Sequence, residues 1–577
     1  MFNKIKQFFN NMQMKANMGQ NLASITDHPW ITSDDTDYAN IRLWQMYWQG
    51  LFPKIKYLNT QGTERSRDYI TLNMSARSTG YLSKLIFNEG VSISVDDDDS
   101  DDNSDDINDT QIDSDSDDDS QPQTANDLIQ QIFADNNFYD KFGDYLEAEL
   151  AMGGLAIKPV WNPTTSKIEL HYVLAPNFYP MDSDTKGINS ACFSYPNYVT
   201  ENGVKFTYTR LEFHYWTYQN ITDDSGNTSL QRVYNVHNEL YKAYTSSGEL
   251  GKQIPLNTLP QYQDMQPDQS WTGIERPMFV YMKTSGLNKK NLNSPLGQSI
   301  FADAIGTLKS INDVYDQFNW DTQMSQKKVI VTANTQAPVY KDPQTGKLME
   351  MPHMVFPENQ NVFMSMPGDS DDPTIKDISL PIRAADYLTA IKGYLSVLEV
   401  DLGFSAGTFT FDGQAVQTAT AVISENSTTY QTRQNELNGL TDGLRDLINS
   451  ILEVYYINNP DTTLPTNVPD DAISIDFDDG VFQDRTTKAQ FWNSLVSANE
   501  FSRQSFLMKV LGYTEEQAKA ELALVDSENP VPSTDASLGG SDFDGNEEGV
   551  GDDTTNSSPA GSSSDNPDDS GSDSSSM

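Results

Sequence analysis

The stretch that most constrains this chain runs from Leu402 to Tyr456, where a glycine-rich segment leads into a long helical pattern. Gly403, Gly407 and Gly413 alternate with small and aromatic residues, which is typical of a mobile loop. The helical pattern after them would span about 60 Å at roughly 1.5 Å per residue, longer than a small domain needs. We therefore expect a loop that feeds a helix bridging a large part of the fold.

The long helix has two unlike halves. From Leu437 onward, apolar residues recur at three- and four-residue steps and form one buried stripe. From Thr418 to Gln434 the same register is polar, so this half is expected to meet water on much of its surface. Gly439 and Gly443 lie between the halves. Because glycine costs about 1 kcal/mol in a helix interior relative to alanine, we predict a bend there.

Two segments carry much of the negative charge. The chain has a net charge of -45, and residues 95–121 hold 14 aspartates while residues 526–577 hold 13 acids, with no Lys or Arg in either segment. We expect a disordered insertion at 96–120 and a disordered tail at 527–577. Without these 27 acids the net charge of the body is -18. A free nucleic-acid-binding protein usually shows a basic face instead.

Residues that could carry chemistry are few. The single cysteine, Cys192, excludes an intramolecular disulfide framework, and five scattered histidines argue against a Cys/His zinc site. The P-loop pattern is absent, since Gly251-Lys252 and Gly346-Lys347 lack its first glycine and its Ser/Thr. We find neither an export signal nor an apolar run long enough to span a membrane, and we expect a cytosolic product. The sequence predicts no enzyme, cofactor or metal site.

Helical and strand-like patterns predict an α+β fold in which antiparallel strands dominate up to about residue 285. Alternating residues predict one hairpin at 155–173 and a longer one at 206–245. In chain order, the predicted segments are an amphipathic N-terminal segment at 1–26, an α+β region at 27–293, a helix at 294–327, a strand-like module at 328–380, a helix at 381–401, a loop at 402–416, the long helix at 417–457, and a region with two short helices at 458–526.

Two other interpretations of the composition stay open at this stage. A Ser/Asp-rich surface adhesin would explain the aspartate runs, although it would normally need an export signal. A carbohydrate-active hydrolase would explain the aromatic residues and acids such as Asp476, Asp478 and Asp479.

Several segments together resemble the portal proteins of tailed bacteriophages, of the kind found in long-tailed phages of Gram-positive bacteria. The most specific part is the block FSAGTFTFD with TATAVISENS, and the aspartate insertion and acidic tail depart from the family pattern. The matching segments are residues 42–47, 85–93, 294–316, 402–434 and 478–490.

The resemblance implies a ring of identical chains, commonly twelve, at one vertex of the capsid, through which DNA is packaged and later ejected. It divides the chain into a wing (27–293), a two-helix stem (294–327 and 381–401), a clip (328–380), a tunnel loop (402–416) and a helical crown (458–526), with the long kinked helix linking wing to crown. The implied partners are other copies of the chain, double-stranded DNA bound without sequence specificity, the terminase, a head-completion or adaptor protein, and the major capsid and scaffolding proteins.

The same resemblance suggests which residues approach DNA most closely. They belong to the tunnel loop and are Gly407, Thr408, Phe409, Thr410, Phe411 and Asp412. Because acidic walls repel DNA from every side, we hypothesise a channel that conducts DNA without gripping it.

Overall fold

The computed structural model describes residues 21–58, 63–87, 91–96, 124–222, 228–325, 329–332, 339–350, 363–366, 375–377, 381–409, 427–477, 485–498, 501–511 and 515–528. The predicted insertion beyond Asp96, the tail from residue 529 and the N-terminal segment as far as residue 20 lie outside these ranges. The chain forms two compact units, residues 1–488 and 489–577.

Helices and strands alternate along the described residues, which confirms the predicted α+β class. The helices are α1 (Asp35–Gln49), α2 (Met74–Ile86), α3 (Ala125–Asp135), α4 (Phe138–Met152), α5 (Ile305–Met324), α6 (Ala384–Asp401), α7 (Ser427–Asn458), α8 (Arg485–Ser497), α9 (Arg503–Leu511) and α10 (Glu515–Glu528). The strands are β1 (Asn21–Leu22), β2 (Ile55–Leu58), β3 (Glu64–Arg67), β4 (Val91–Val95), β5 (Gly154–Asn162), β6 (Lys167–Leu174), β7 (Phe178–Ser183), β8 (Ile188–Glu201), β9 (Val204–Thr222), β10 (Thr228–Tyr244), β11 (Gly251–Ile254), β12 (Asp268–Thr272), β13 (Val280–Lys283), β14 (Val329–Thr332), β15 (Val339–Lys341), β16 (Leu348–Glu350), β17 (Phe363–Met366), β18 (Ile375–Asp377) and β19 (Ile473–Phe477).

The largest sheet has seven strands in the order β1-β11-β10-β9-β8-β7, with β12 also paired to β10. Strands β9 and β10 form the predicted long hairpin, with register from Phe206 opposite Tyr244 to Thr222 opposite Thr228. Their β-branched and aromatic side chains alternate between the two faces, as a strand period of two requires. This sheet dominates the first half of the chain.

The long helix packs against a second sheet. It has three strands in the order β13-β5-β6, and β5 and β6 form the shorter predicted hairpin. A cluster of fully buried aromatic side chains, which includes Phe138, Phe142, Phe178 and Phe193, fills the core around the two sheets. Helix α7 packs on β13 and β5, so the second half of the chain shares this core.

Helices α5 and α6 form an antiparallel pair. Near one end Thr307 Oγ1 donates to Asp401 Oδ2 at 2.7 Å, and toward the other the rings of Phe318 and Tyr387 lie 5.3 Å apart. The described strands between the two helices form a three-stranded sheet, β17-β14-β18, and the hairpin β15-β16. The order helix, strand-rich module, helix therefore agrees with the sequence.

The first helix of this pair starts later than predicted. The prediction placed its start at residue 294, but the structure has turns there and α5 begins at Ile305. The Ile300 N–H donates to the Leu150 carbonyl at 3.1 Å, and a Cβ on Gly297 would stand 2.0 Å from a backbone oxygen of the body. These tertiary contacts override the helical spacing of the segment.

Two smaller boundaries also differ from the sequence interpretation. Apolar residues from Arg67 to Asn88 have a helical spacing in the sequence that predicts one helix, but α2 begins only at Met74, and Arg67 ends strand β3. The described part of the region 458–526 contains three helices where the sequence predicts two, namely α8, α9 and α10, and α10 continues to Glu528. In the second unit, the rings of Trp492 and Phe501 lie 4.7 Å apart.

Candidate functional site

The glycine-rich loop leaves α6 through a left-handed turn. Gly403 has φ of 68°, and the Phe404 N–H donates to the Glu399 carbonyl at 2.8 Å. A Cβ on Gly403 would stand 2.7 Å from Thr432 Oγ1, and this hydroxyl donates to the Gly403 carbonyl at 2.6 Å. Glycine is therefore required here by both backbone conformation and the close approach of α7.

A buried carboxylate holds the next turn of the loop. Glu399 is 1% exposed, and its two oxygens accept the backbone N–H groups of Gly407 at 2.9 Å and Phe409 at 2.6 Å. Gly407 has φ of 89°, which a residue with a side chain rarely adopts. Charge-assisted bonds to backbone donors are among the stronger hydrogen bonds in proteins. Glu399 thus fixes the described beginning of the loop to the end of α6.

A reciprocal pair of hydrogen bonds ties the loop to the first turn of α7. The Ser405 N–H donates to Thr429 Oγ1 at 2.8 Å, and the Thr429 N–H donates to Ser405 Oγ at 3.3 Å. Both side chains are buried. The polar half of the long helix is therefore mixed: Ser427, Thr428 and Gln431 are exposed, whereas Thr429 faces the loop.

Two loop aromatics have an internal partner. The Tyr81 ring on α2 lies 5.6 Å from that of Phe404 and 6.1 Å from that of Phe409, and the two phenylalanine rings lie 5.7 Å apart in an edge-to-face arrangement. Such pairs add packing energy beyond the area that they bury. We define the loop root as residues 402–409, which pack against α2, α6 and α7.

Arg433 connects helix α7 to the end of α2. Its guanidinium is fully buried, and Nε donates to the Leu85 carbonyl near the end of α2 at 2.8 Å. A cation at the C-terminus of a helix offsets the partial negative charge of the last carbonyls. This contact joins α7 to a helix far away in sequence.

The structure describes only part of the predicted channel loop. Gly407, Thr408 and Phe409 lie in the loop root, while Thr410, Phe411 and Asp412 lie outside the described residues. The approach of this loop to DNA stays a prediction.

Sequence reasoning missed four residues. Glu399, Thr429 and Thr432 hold the loop root, and Arg433 joins α7 to α2. A usable signal existed for two of them. Glu399 lies four residues after Leu395, and Arg433 lies four residues before Leu437, so both fall on the apolar stripe of their helix. An ionisable group on such a stripe needs buried hydrogen-bond partners.

The two glycines of the long helix lie against β13. Helix α7 is continuous from Ser427 to Asn458, and a Cβ on Gly443 would stand 2.6 Å from Met282 Cγ. The corresponding atom on Gly439 would be 3.6 Å from the Lys283 carbonyl oxygen. Close packing therefore accounts for Gly443, and the predicted bend at the two glycines stays a prediction.

Carboxylates of α7 bind the backbone at both ends of β13. Glu436 accepts the Ser285 N–H at 2.8 Å, and Glu453 accepts the N–H groups of Glu275 at 3.1 Å and Arg276 at 3.2 Å. Burial raises the pKa of Glu436, and it raises the pKa of Glu453 to about 7. The long helix is thus held to the sheet at two widely separated points.

Glu149 on α4 is a third buried carboxyl in this region. It is fully buried, and its Oε2 has no hydrogen-bond partner among the described residues. Burial, together with the neighbouring Glu436, raises the pKa of this carboxyl to about 8. Both effects favour the protonated form of this carboxyl.

The described residues contain no group of three His, Cys, Asp or Glu side chains that could hold a metal ion. In the same part of the chain no helix has both the length and the apolar character to cross a membrane.

A known protein family matches most of the chain. The family described as "Phage portal protein, SPP1 Gp6-like" matches residues 27–531. A search of curated proteins finds no match. The family match gives no support to an adhesin or a carbohydrate-active hydrolase. The chain therefore belongs to the SPP1 Gp6-like family of phage portal proteins, structural proteins that connect the head of the virion to its tail.

Proposed function

We propose that copies of this chain assemble in the host cytoplasm into a ring, a dodecamer, at one vertex of the capsid. Double-stranded DNA passes through its central channel, without sequence-specific contacts, when the terminase fills the head and again when the genome is ejected. The family match over residues 27–531 supports this proposal.

One observation carries the ring proposal: helix α6 is apolar on both sides. Ile391, Leu395 and Leu398 are buried against the body. Leu388, Tyr394, Val397 and Val400 are exposed, and Val400 is 78% exposed. Exposed apolar side chains opposite the buried side of a helix mark a surface that normally packs against a partner. The exposed side of α6, which we call the outer face, therefore fits the neighbouring copy in a ring.

We further propose the division into functional parts that the family suggests. Residues 27–293 form the wing, the helices within 294–327 and 381–401 form the stem, and the module 328–380 forms the clip that meets the terminase and later the adaptor protein. The antiparallel contact of α5 with α6 and the strand-rich module between them support this division.

The remaining parts follow in the same way. Residues 402–416 form the tunnel loop, the long helix at 417–457 links wing to crown, and residues 458–526 form the crown. The wing and crown meet the major capsid and scaffolding proteins. The dense hydrogen bonding of the loop root supports a loop that leaves a rigid base.

The negative net charge of the folded part of the chain suits a channel for DNA. DNA carries one charge per about 1.7 Å of its axis, and a ring of acidic chains repels it from all sides within a screening length of about 8 Å. The net charge of -18 outside the two acidic segments supports a channel that conducts DNA without gripping it.

The ring is tested by native mass spectrometry and negative-stain imaging of the purified full-length chain. We expect a closed ring with a central hole. A chain that remains monomeric at all concentrations would overturn the proposal.

A further inference from the structure

Residues 21–31 cross one face of the largest sheet, and we call them the N-terminal strap. The strap begins with the two-residue pairing of β1 with β11. The backbone hydrogen bonds described for residues 24–31 then stay within the strap. Side chains make the contacts with the sheet instead, and the Trp30 ring lies 5.2 Å from that of Phe213 on β9. The hold of the sheet on the strap therefore depends on these side chains.

Four ionisable side chains meet beneath the strap, and we call them the histidine cluster: His28, His237, Glu239 and Asp268. His237 and Glu239 lie two residues apart on β10 and so share one face of the sheet, and Asp268 on β12 is the register partner of His237. His28 reaches them from the strap. It is only 4% exposed, and Glu239 is 7% exposed, so the centre of the cluster is closed to water.

The ring of His237 lies between two carboxylates. Its Nδ1 is 2.6 Å from Asp268 Oδ1, and its Nε2 is 3.4 Å from Glu239 Oε1. A carboxylate only accepts hydrogen bonds, and a neutral imidazole has one N–H, so only the imidazolium donates to both partners. Burial lowers the pKa of His237, but the bonds to Glu239 and Asp268 outweigh burial and raise it.

Glu239 joins His237 to the strap. Its Oε2 accepts from His28 Nε2 at 3.3 Å and from the Tyr241 hydroxyl at 2.7 Å. The Trp30 N–H donates to His28 Nδ1 at 3.3 Å, so the hydrogen of the His28 ring is on Nε2. Burial raises the pKa of Glu239, but the bonds from His237 and His28 outweigh it and lower the pKa. This buried carboxylate therefore stays ionised and depends on the cation of His237.

The other groups around His237 supply no second cation. The titratable and charged side chains of the described residues that face it are Glu239 and Tyr241 on β10, Asp268 on β12, His28 on the strap, Tyr215 on β9 and Cys192 on β8.

We propose that His237, as an imidazolium, fastens the N-terminal strap to the sheet, and that loss of its proton to solvent releases the strap. Without this proton one ring nitrogen presents a lone pair to a carboxylate, and Glu239 stays buried without a cation. Release would uncover the Phe213 ring and free the end of the chain at residues 1–20 from the sheet. This device is independent of the proposed ring.

The direction of the pH dependence follows from the two pKa shifts. The contribution of His237 is fully present below its unfolded pKa of about 6.5 and is lost as the pH rises through the raised folded value. The contribution of Glu239 is present above about 4.5 and is lost as the pH falls through its lowered folded value. The strap is therefore held most firmly in mildly acidic solution and opens toward alkaline pH.

Hydrogen–deuterium exchange of the full-length chain from about pH 6 to about pH 9, corrected for the intrinsic exchange rate, tests the proposal. We expect protection of residues 24–31 to fall by about tenfold or more, while residues 208–214 of β9 keep theirs. His237→Gln, which carries no charge, should leave the strap weakly protected at every pH. The control His171→Gln, on β6, should behave as the wild type.

Asp268→Asn keeps the test decisive if His237→Gln does not fold. The Asp268 side chain is 69% exposed, so the fold tolerates this change, and loss of its charge should move the midpoint of strap release to lower pH by about 1 unit. Constant strap protection in the wild type, or an unmoved midpoint in Asp268→Asn, would overturn the proposal. Equal loss of protection in the strap and in β9 would show global unfolding instead, which also overturns it.

Discussion

The carboxylate of Glu399, at the end of α6, accepts the backbone N–H of Gly407 at 2.9 Å inside the loop root. A second bond, from Phe409, completes the attachment, so the loop begins from a fixed turn. The two positive-φ glycines make this geometry possible, because they allow the chain to wrap around one buried carboxylate.

Glu399→Ala should release the loop root. The substitution leaves two backbone donors unpaired, so we expect a loss of about 2–4 kcal/mol in local stability. Hydrogen–deuterium exchange of residues 399–409 measures this loss. Thr389→Ala, at an exposed site on the same helix, is the control and should leave the exchange unchanged. Equal protection in both variants would contradict the role of Glu399.

The two glycines of α7 should respond differently to alanine. Gly443→Ala places a Cβ 2.6 Å from Met282 Cγ, and overpacking of this kind costs about 1–3 kcal/mol. Gly439→Ala meets only an ordinary contact at 3.6 Å, so the better helix propensity should add about 1 kcal/mol. Chemical denaturation of both variants measures the difference. If both variants lose the same stability, a helix bend that needs both glycines explains the result better than a close contact at Gly443 alone.

Stability should decrease as the pH rises, because buried carboxyls prefer their protons. The pKa of Glu149 is raised from 4.5 to about 8, so its contribution is fully present below the unfolded value and is lost as the pH rises toward 8. Glu453, with a pKa of about 7, also stabilises the fold less as the pH rises.

Glu149→Gln should flatten this dependence and stabilise the protein by a few kcal/mol at alkaline pH. Denaturation midpoints from about pH 5 to about pH 9 measure the slope. Asp144→Asn, an exposed acid on the same helix, should keep the wild-type slope. An unchanged slope in Glu149→Gln would show that this carboxyl does not hold a proton in the fold.

Replacing residues 407–412 with a Gly/Ser linker should leave the ring intact and impair packaging or retention of DNA. The replaced segment does not include the outer face of α6, on which the proposed ring contact lies, so we expect assembly to be kept. Native mass and DNA content of purified heads are the two measurements. A similar replacement of the exposed turn at 245–248 is the control. Normally filled heads from the loop variant would refute its assignment to the channel.

Val400→Asp should prevent ring formation without unfolding the chain. The side chain is 78% exposed in the single copy, so a charge there is tolerated until a neighbour covers it. Val400→Thr, of nearly the same shape, should assemble nearly normally. Native mass measures assembly and circular dichroism checks folding. If the Asp variant still forms rings, the outer face of α6 is not part of the interface between copies.

Structural elements that depend on residues close together in the sequence could be predicted from it. The alternation in β9 and β10 predicts their hairpin because each strand presents a period of two to the sheet. The stripes of α5 and α6 likewise predict two helices around a strand-rich module.

Contacts between distant segments could not be predicted in this way. The start of α5 depends on the Leu150 carbonyl, and the close approach at Gly443 depends on Met282, neither of which a local pattern reveals. The polarity of Thr429 suggests water, yet its hydroxyl bonds Ser405 of the loop. These contacts depend on how the long helix packs on the sheet, so a local sequence pattern does not predict them.

Strands β4 and β19 pair in antiparallel register, with Val91 opposite Phe477 and Val95 opposite Ile473. Residues 96–472, which include most of the described helices and strands, are synthesised between them. At a translation rate of about 5–20 residues per second, the second strand leaves the ribosome some tens of seconds after the first. Final closure of the core must therefore wait until helices α5 and α6, the strands between them and the long helix have all been made. A chain truncated before Ile473 lacks the partner of its own early strand.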